Sequence, residues 1–504
     1  MNVEERALWE LQHELAAGRT DALNLVTQYR QRIQTLDRCG PALRSVLELN
    51  PDAEQIAQDL DAERRQRGAR GPLHGIPVLL KDNIATLDRM QTTAGSLALL
   101  GSRVARDAFV VQRLRAAGAV LLGKANMSEW SNGRSLQSRS GWSARGGLTR
   151  NPYVLDRSAS GSSSGCAVAV AASLCAAAVG TETDGSILSP ASVCGIVGLK
   201  PTVGLVSRCG VIPLSHSLDT PGPMARNVRD CALLLGAMTG RDPMDGAMPE
   251  SAESALGDYA GALDPQALRG ARLGVARQFF GFHEDAEPVY GQALAALSQA
   301  GAVLIDPVAL PQLAAMGAAK RTVLLYEMKA GMNAYLHALG PGARVRSLAD
   351  IIAFNQEHAA LEMPWFSQDL FLMSQAKGPL SDSDYLEALA TLRRIARTQG
   401  IAAVLREHRL DALLAPTCGP AGVSDLRRAE RSLGASSSPA AAAGTPSISI
   451  PAGDVQGLPL GLSFFAEAWS ERKLLGLAYA FEQLTRARQA PRYLPRLGLE
   501  QTPG

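Results

Sequence analysis

The feature that most constrains the fold is a stretch rich in glycine and serine, residues 144–165, which leads directly into an apolar segment, 166–178. Alone, the stretch has the composition of a flexible linker and lacks helical or strand periodicity. However, another apolar run, 196–199, follows closely. Because apolar segments of this kind form protein cores, we predict that the Gly/Ser stretch lies inside a folded unit and that 166–178 is a buried helix.

The N-terminal quarter of the chain alternates between helical and strand patterns. Apolar residues spaced along one helix face predict a helix over 22–36, with Thr20 as its N-cap. Short apolar runs predict buried strands over 76–80 and 119–123, with a helix over 107–117 between them. This alternation is typical of an α/β fold with helices on both faces of a sheet.

The second half continues the alternation and adds a long helical stretch. The expected elements are a strand over 272–277, a helix over 285–299, a strand over 302–305, a mainly helical segment over 310–410, a strand over 411–416, a loop over 435–446, strands over 447–450 and 460–465, and a final helix over 471–488 with Leu484 on its apolar face.

Charge and cysteine usage exclude several classes of protein. The 50 basic and 48 acidic residues give a net charge of +2, which argues against a nucleic-acid-binding protein. The seven cysteines form no CxxC pair, so neither a disulfide framework nor a zinc module is expected. The longest apolar stretch, 167–179, is shorter than the roughly 20 residues that span a bilayer. The N-terminus lacks the apolar region of a signal peptide, so we expect no membrane association and a cytoplasmic location.

Familiar catalytic motifs are absent or incomplete. The sequence has neither a P-loop nor an HExxH motif, and its histidines never pair at metal-ligand spacing, so we expect no metal and no cofactor. Gly161-Ser-Ser-Ser-Gly165 matches the nucleophile elbow of α/β-hydrolases. That motif requires a preceding strand, whereas residues 156–160 are polar, and the glycine-rich oxyanion element is missing. The α/β-hydrolase alternative is therefore disfavoured.

What remains is a group without histidine: Lys81 after an apolar strand, Ser162 in the Gly/Ser stretch and Ser186 in a turn-forming segment. In the motifs that surround these three residues, the chain resembles the amidase signature family of serine hydrolases. The resemblance rests on ordered motifs across nearly the whole chain: residues 75–83 (GIPVLLKDN), 92–96 (TTAGS), 123–129 (GKANMSE), 161–165 (GSSSG), 180–186 (GTETDGS), 194–202 (CGIVGLKPT), 219–223 (DTPGP) and 444–461.

The resemblance implies a catalytic trio and a fold. By motif, Lys81 is the base, Ser162 follows Gly161 through a cis peptide bond, and Ser186 is the nucleophile. Ser162 and Ser186 are 24 residues apart, which agrees with the family's spacing. Many members have Ser-Ser-Gly-Gly in the loop, whereas this chain has Ser164 at the third position. Its side chain is expected either to crowd the loop or to add a hydrogen bond, and it makes 162, 163 and 164 all candidates for the second serine of the trio.

The implied architecture is a single large α/β/α domain around a mixed β-sheet, residues 1–504. In this domain, N-terminal helices (1–70) and a catalytic core (71–245) precede the helical segment 310–410, which covers the sheet and shapes the pocket.

Elementary chemistry favours the same trio. A serine hydroxyl is a weak nucleophile and needs a base. A lysine has an ordinary pKa of about 10.4, but burial can lower it by several units. Lys81 directly follows an apolar run, so burial is expected. Ser162 can then relay a proton from Ser186 to Lys81 and return it to the leaving nitrogen.

Other residues near the trio are expected to support it. The backbone N–H groups of Thr183, Asp184, Gly185 and Ser186 are predicted to form the oxyanion hole. Asp82 either orients nearby backbone N–H groups or simply caps a turn. Arg208 either braces the site through a carboxylate such as Asp219 or lies free on the surface, while its neighbour Cys209 is not expected to be a nucleophile.

Within the family, the chain is most similar to peptide amidases, which remove the C-terminal amide of peptides. The similarity rests on the form of the loop at 180–186 and on the helical stretches 324–336, 348–355 and 366–371. The expected activity is therefore hydrolysis of a peptide or small-molecule amide through an acyl-enzyme. The alternatives are an aryl-acylamide or carbamate hydrolase, an amidotransferase component that acts on glutamine with protein partners, and a non-enzymatic scaffold; the oligomeric state stays open.

Overall fold

The computed structural model describes residues 2–249, 252, 255–428 and 434–498, so the predicted range 1–504 extends beyond the described residues. Its centre is an eleven-stranded mixed sheet with the order β1-β3-β2-β6-β8-β7-β12-β13-β11-β9-β10, beside a two-stranded sheet of β4 and β5. The strands are β1 (Val46–Leu49), β2 (Pro77–Lys81), β3 (Val120–Ala125), β4 (Trp142–Ser143), β5 (Gly147–Leu148), β6 (Ala177–Glu182), β7 (Val197–Lys200), β8 (Thr220–Ala225), β9 (Arg272–Val275), β10 (Val303–Ile305), β11 (Ala412–Pro416), β12 (Ser447–Val455) and β13 (Leu458–Phe465).

Helices pack around this sheet. They are α1 (Leu8–Ala16), α2 (Ala22–Arg32), α3 (Ala53–Arg67), α4 (Phe109–Ala116), α5 (Ser164–Ala171), α6 (Leu188–Val193), α7 (Val228–Met238), α8 (Glu287–Gln299), α9 (Leu313–Ala338), α10 (Leu348–Glu357), α11 (Ala359–Glu362), α12 (Asp369–Gln375), α13 (Ser383–Arg393), α14 (Ala402–His408), α15 (Ser437–Ala443) and α16 (Glu471–Thr485).

The sheet has parallel strands toward its two ends and antiparallel strands in its middle. β3, β2 and β6 run parallel, as do β11, β9 and β10. Between them, β8, β7, β12 and β13 pair antiparallel. The predicted α/β class with a mixed sheet is therefore confirmed.

The predicted helix over 166–178 is too long. α5 ends at Ala171, and the chain turns through Ser173, whose φ is 53°, into strand β6. Both elements are buried throughout, so the sequence is apolar on every side. Without a polar face there is no periodicity to separate a buried helix from a buried strand, which explains the error.

The predicted loop over 435–446 is also wrong. Residues 437–443 form helix α15, which ends at Gly444 in the left-handed conformation, with φ of 68°. Pro439 lies in the first turn, where a helix tolerates proline, and the four alanines that follow are strong helix formers. The low complexity of this segment therefore reflects a buried helix packed closely against its neighbours.

Smaller differences concern helix ends. Asp21 caps α2, because its carboxylate accepts a hydrogen bond from the N–H of Asn24, and so Thr20 is not the N-cap. The final helix ends at Thr485, and Leu484 is exposed, which corrects its place on the apolar face.

The helical segment 310–410 is confirmed as mainly helical, and part of it packs in a separate apolar cluster with residues from 94–99, 127–130 and 212–214. In that cluster the rings of Trp130 and Phe371 meet edge to face, with centroids 5.8 Å apart. No helix among the described residues is long and apolar enough to cross a bilayer. The division into three segments and the cytoplasmic location stay predictions.

Candidate active site

Two parallel strands bring Lys81 close to the loop that carries Ser186. Lys81 is the last residue of β2, and β6 runs beside β2 with Leu80 opposite Val179. Because the carboxyl ends of parallel strands meet at one edge of the sheet, Lys81 reaches Thr181, and residues 183–186 follow immediately. The sheet topology therefore brings residues 81 and 186 to the same edge.

The side-chain nitrogen of Lys81 is enclosed by three oxygen atoms. Its Nζ atom lies 2.6 Å from Ser162 Oγ, 2.9 Å from Thr181 Oγ1 and 3.0 Å from the Thr181 carbonyl oxygen. Asn83 adds a hydrogen bond of 3.0 Å from its side-chain amide to Thr181 Oγ1. Burial lowers the pKa of Lys81 to about 7, because desolvation disfavours the charged form more than nearby acids favour it.

Ser162 belongs to a tightly packed loop. The peptide bond between Gly161 and Ser162 is cis, as the family resemblance implies. The carbonyl of Ser162 accepts a hydrogen bond of 3.1 Å from the N–H of Ser128. A Cβ atom on Gly161 would lie 2.2 Å from Ser128 Oγ, so only glycine fits at 161. These contacts fix the Ser162 hydroxyl against Lys81.

Ser164, the departure from the family pattern, makes a hydrogen bond instead of crowding the loop. Its hydroxyl donates to the carbonyl of Ser160 at 2.5 Å. Ser163, by contrast, donates to the Thr181 carbonyl at 3.0 Å and accepts from the Thr181 N–H at 3.2 Å. Among the three serines, Ser162 alone contacts Lys81 in the described part of the chain, which supports the choice made from the motif.

Ser186 lies beside this loop and is buried, although a small part of it remains exposed. Its carbonyl accepts a hydrogen bond of 3.0 Å from the N–H of Ser163, which ties the two segments together. Ser186 is 7% exposed, whereas Lys81 and Ser162 are fully buried, so Ser186 is the member of the trio that solvent can reach. Its hydroxyl has no hydrogen-bond partner within residues 2–249, 252, 255–428 and 434–498.

The four backbone N–H groups predicted to form the oxyanion hole differ in whether they already donate a hydrogen bond within the protein. Nothing in the described part of the chain accepts a hydrogen bond from the N–H groups of Thr183, Asp184 or Ser186. The N–H of Gly185 is close enough to the Glu182 carboxylate to favour its charged form, so it is partly engaged. Gly185 itself has φ of 79°, and a Cβ atom there would lie 3.0 Å from Ser437 Oγ, so the turn requires glycine.

The side chain of Asp184 anchors the loop to two distant elements. It forms an ion pair with Lys320 of α9 and accepts hydrogen bonds of 2.6 Å from both Ser437 and Ser438 of α15. Burial alone would raise the pKa of Asp184, but the Lys320 charge and the hydrogen bonds outweigh it and hold that pKa below its ordinary value. The loop is therefore held by a charged, hydrogen-bonded carboxylate whose partners come from α9 and α15.

The carboxylate of Asp82 orients backbone N–H groups, which is one of the two roles predicted for it. Its carboxylate accepts a hydrogen bond of 3.1 Å from the N–H of Gly95 and contacts the Thr93 hydroxyl. It also forms an ion pair of 3.0 Å with Arg145. Burial raises the pKa of Asp82, although Arg145 opposes the shift. Asp82 thus supports the loop over 93–95 and does not contact Ser162 or Ser186.

The predicted pairing of Arg208 with Asp219 is wrong. The guanidinium group of Arg208 forms an ion pair with Asp245. The backbone N–H of Arg208 also donates a hydrogen bond of 2.8 Å to that carboxylate. Asp219 instead accepts hydrogen bonds of 2.6 Å from Thr183 Oγ1 and 2.8 Å from the N–H groups of Leu214 and Ser215. Asp219 therefore braces the loop directly, and Arg208 influences it only as a more distant charge.

Sequence reasoning missed several contacts of the site. They come from Asn83, Thr181, Lys320, Ser437 and Ser438. Asn83 and Thr181 lie within the quoted motifs, so their position was a usable signal. Lys320 and the two serines lie far along the chain in segments of unremarkable composition, so no local signal marked them. The described residues contain no group of three acidic, histidine or cysteine side chains that could hold a metal.

Comparison with known proteins identifies the family of the chain. The sequence profile of the Amidase family matches residues 24–475. The crystal structure of native peptide amidase from Stenotrophomonas maltophilia is 51% identical, with a TM-score of 0.91, and the match covers 97% of this chain and 99% of that one.

Two curated relatives extend the comparison. A probable amidase of Arabidopsis thaliana is 41% identical over 502 residues, which cover 98% of this chain and 92% of the relative. A glutamyl-tRNA(Gln) amidotransferase component from Moorella thermoacetica is 36% identical over 462 residues, 90% of this chain and 91% of that protein. Because the family profile and these relatives span nearly the whole sequence, the chain belongs to the Amidase family and is an amide hydrolase.

Proposed function

We propose that this protein hydrolyses C-terminal peptide amides to the acid and ammonia, with Ser186, Ser162 and Lys81 as the catalytic triad. The observation that carries the proposal is the buried contact of 2.6 Å between Lys81 Nζ and Ser162 Oγ, in a loop that is hydrogen-bonded to Ser186, the least buried of the three residues. No cofactor takes part. The substrate is a peptide or small-molecule amide.

The surroundings of Lys81 suit a neutral amine. A neutral amine has two N–H donors and one lone pair, and Lys81 Nζ has three polar neighbours. The two oxygen atoms of Thr181 accept the N–H groups, and the lone pair accepts the hydroxyl proton of Ser162. With a pKa of about 7, a large fraction of Lys81 is in this form at neutral pH.

The reaction proceeds through two acyl-transfer steps. Ser186 Oγ attacks the amide carbonyl while its proton moves to Ser162, and the Ser162 proton moves to Lys81. The tetrahedral intermediate collapses, the C–N bond breaks, and the leaving nitrogen takes the proton back through Ser162, so that ammonia departs. Water then attacks the acyl-enzyme, and its proton moves through Ser162 to Lys81. The intermediate collapses, the acid leaves, and the Ser186 oxygen takes the proton back through Ser162.

Backbone N–H groups stabilise the negative oxygen that develops during both steps. Thr183, Asp184 and Ser186 have N–H groups without intramolecular acceptors in the described ranges, whereas Gly185 is partly engaged with Glu182. A donor of this kind typically contributes about 3–4 kcal/mol to the transition state. Asp219 and Asp184 act on these groups only by holding the loop in place.

The choice of a peptide amide rests on similarity along the whole chain to the Stenotrophomonas maltophilia peptide amidase. The 36% identity with the Moorella thermoacetica amidotransferase component supports a second candidate, glutamine hydrolysis with protein partners. An aryl-acylamide or carbamate hydrolase would use the same triad. These candidates differ in leaving group and in the need for partners.

The purified chain is therefore incubated separately with a blocked dipeptide amide, the matching dipeptide anilide and glutamine. Mass spectrometry follows the free acid, and ammonia and aniline are assayed separately. We expect fast ammonia release from the dipeptide amide and no need for a partner. Aniline release alone would favour the arylamide hydrolase, and glutamine turnover alone would favour the amidotransferase component. The Ser186→Ala variant controls for contaminating hydrolases.

A further inference from the structure

A second cavity, outside the proposed catalytic site, lies where the segment 203–218 meets α13 and α15. Its volume is about 360 Å³, which is in the range of small-molecule sites. Its wall includes Arg208, His216 and Ser217 on one side and Arg393 and Arg397 on the other. Neither the triad residues nor residues 183–185 line it, although Arg208 also lines the smaller pocket beside Thr183 and Asp219.

The wall of this cavity carries positive charge without matching negative charge. Three arginines and one histidine line it, and no aspartate or glutamate does. Arg208 is neutralised by Asp245, and His216 lies 3.2 Å from Glu327. Arg393 and Arg397 have no carboxylate partner among the residues for which the structure gives positions. Two guanidinium groups are therefore left uncompensated.

These two groups are close enough to influence each other. Arg397 is exposed overall, but partial desolvation lowers the pKa of its guanidinium group, and the positive charge of Arg393 lowers it further. The Nε atom of Arg397 donates to the Ala443 carbonyl at 2.7 Å, which fixes the side chain but does not neutralise it. Like charges held together without a counter-charge favour an anion between them, and guanidinium groups match carboxylate and phosphate oxygens.

The rest of the wall indicates the kind of anion. Val203, Leu389 and Leu392 give the cavity an apolar side, and the volume exceeds what a bare inorganic anion fills. We propose that this cavity is a second binding site for a small organic anion, in which Arg393 and Arg397 hold a carboxylate or phosphate group and the leucines contact an apolar body. The site does not depend on the peptide-amide proposal, because none of its residues takes part in that reaction.

Isothermal titration of the full chain tests the proposal with phenyl phosphate, benzoate and inorganic phosphate, and with neutral benzyl alcohol. We expect saturable binding of the two aromatic anions, weaker binding of inorganic phosphate and none of benzyl alcohol. Comparison of the two aromatic anions shows whether phosphate or carboxylate is preferred. Absence of saturable binding for all three anions would overturn the proposal.

Variants locate the site. Arg393→Gln with Arg397→Gln is expected to weaken binding at least tenfold. Arg394→Gln, which removes the same charge from the same helical stretch but outside the cavity wall, is expected to leave binding unchanged. If the double variant fails to fold, the single Arg393→Gln variant, at an exposed position, is expected to weaken binding about fivefold. Equal weakening by Arg394→Gln, or none by Arg393→Gln, would contradict the proposal.

Discussion

The serine-rich segments 158–164 and 436–438 both contact the loop 183–186, but in different ways. The first segment supplies Ser162 to Lys81 and binds the carbonyl of Ser186 through its backbone. The second supplies two hydroxyls to the side chain of Asp184. Segments of similar composition therefore make different contacts: the first includes the hydrogen bond of Ser162 with Lys81, and the second holds the side chain of Asp184. Motif spacing predicted a role for Ser162 beside Lys81, whereas the contacts of 436–438 depend on a helix from a distant part of the chain.

The largest effect is expected at the residue between the two segments. Ser186→Ala removes the nucleophile, and turnover of the preferred amide should fall by on the order of 10⁴-fold or more. The fold should be unchanged, because the Ser186 hydroxyl makes no hydrogen bond within the described residues. Ammonia release and circular dichroism measure the two properties. Full activity in a folded variant would disprove the assignment.

The next largest effect separates two neighbouring serines of the first segment. Ser162→Ala interrupts the path to Lys81 and should lower kcat by about 10²–10⁴-fold. Ser163→Ala loses two hydrogen bonds to Thr181 and should cost about 1–3 kcal/mol of unfolding free energy, with kcat within tenfold of the wild type. Steady-state kinetics and denaturant unfolding check both. The reverse order of kcat values would assign the proton relay to Ser163.

The pH dependence tests the role of Lys81. A general base works in its deprotonated form, and burial lowers the pKa of Lys81 to about 7. We therefore expect kcat/KM to rise as pH increases through about 7 and to fall by about tenfold per pH unit well below it. A profile measured from pH 5 to 9 on folded protein is sufficient. A flat profile across this range would mean that Lys81 does not titrate in the reaction.

The second segment should show a smaller effect. Ser437→Ala combined with Ser438→Ala leaves Asp184 with only the Lys320 ion pair, at a cost of about 1 kcal/mol for each hydrogen bond. We expect kcat to fall by about fivefold to tenfold, because the loop is less well held. The matched control is Ser436→Ala, which loses a buried hydrogen bond to the Pro416 carbonyl without touching Asp184. Equal loss of kcat in the control would indicate a general effect on α15.

The smallest effect is expected at Ser164, where this chain departs from the family pattern. Ser164→Gly removes the hydrogen bond to Ser160 and adds backbone freedom, so the unfolding free energy should fall by about 1–2 kcal/mol. We expect kcat to stay within about threefold, because Ser164 contacts no other member of the site in the described ranges. A large loss of kcat at unchanged stability would instead place Ser164 in the reaction.

Sequence periodicity was sufficient for strands bounded by clear signals, such as 76–80 and 411–416, which the structure confirms as β2 and β11. It failed where every position is buried, as over 166–178, because neither helical nor strand periodicity is visible without a polar face. It failed again over 435–446, because serine and alanine are common both in loops and in closely packed helices.

The sequence by itself determined the family, the motif positions of Lys81, Ser162 and Ser186, and the mixed α/β class, because these depend on residue type and spacing. Only the tertiary structure decided what those residues contact. The neighbours of Lys81, the support of Asp184 by Lys320 and α15, and the pairing of Arg208 with Asp245 all join segments far apart in the chain. Burial of Lys81 was expected from the apolar run before it, but its completeness, which lowers the pKa of Lys81, depends on every element packed around the side chain.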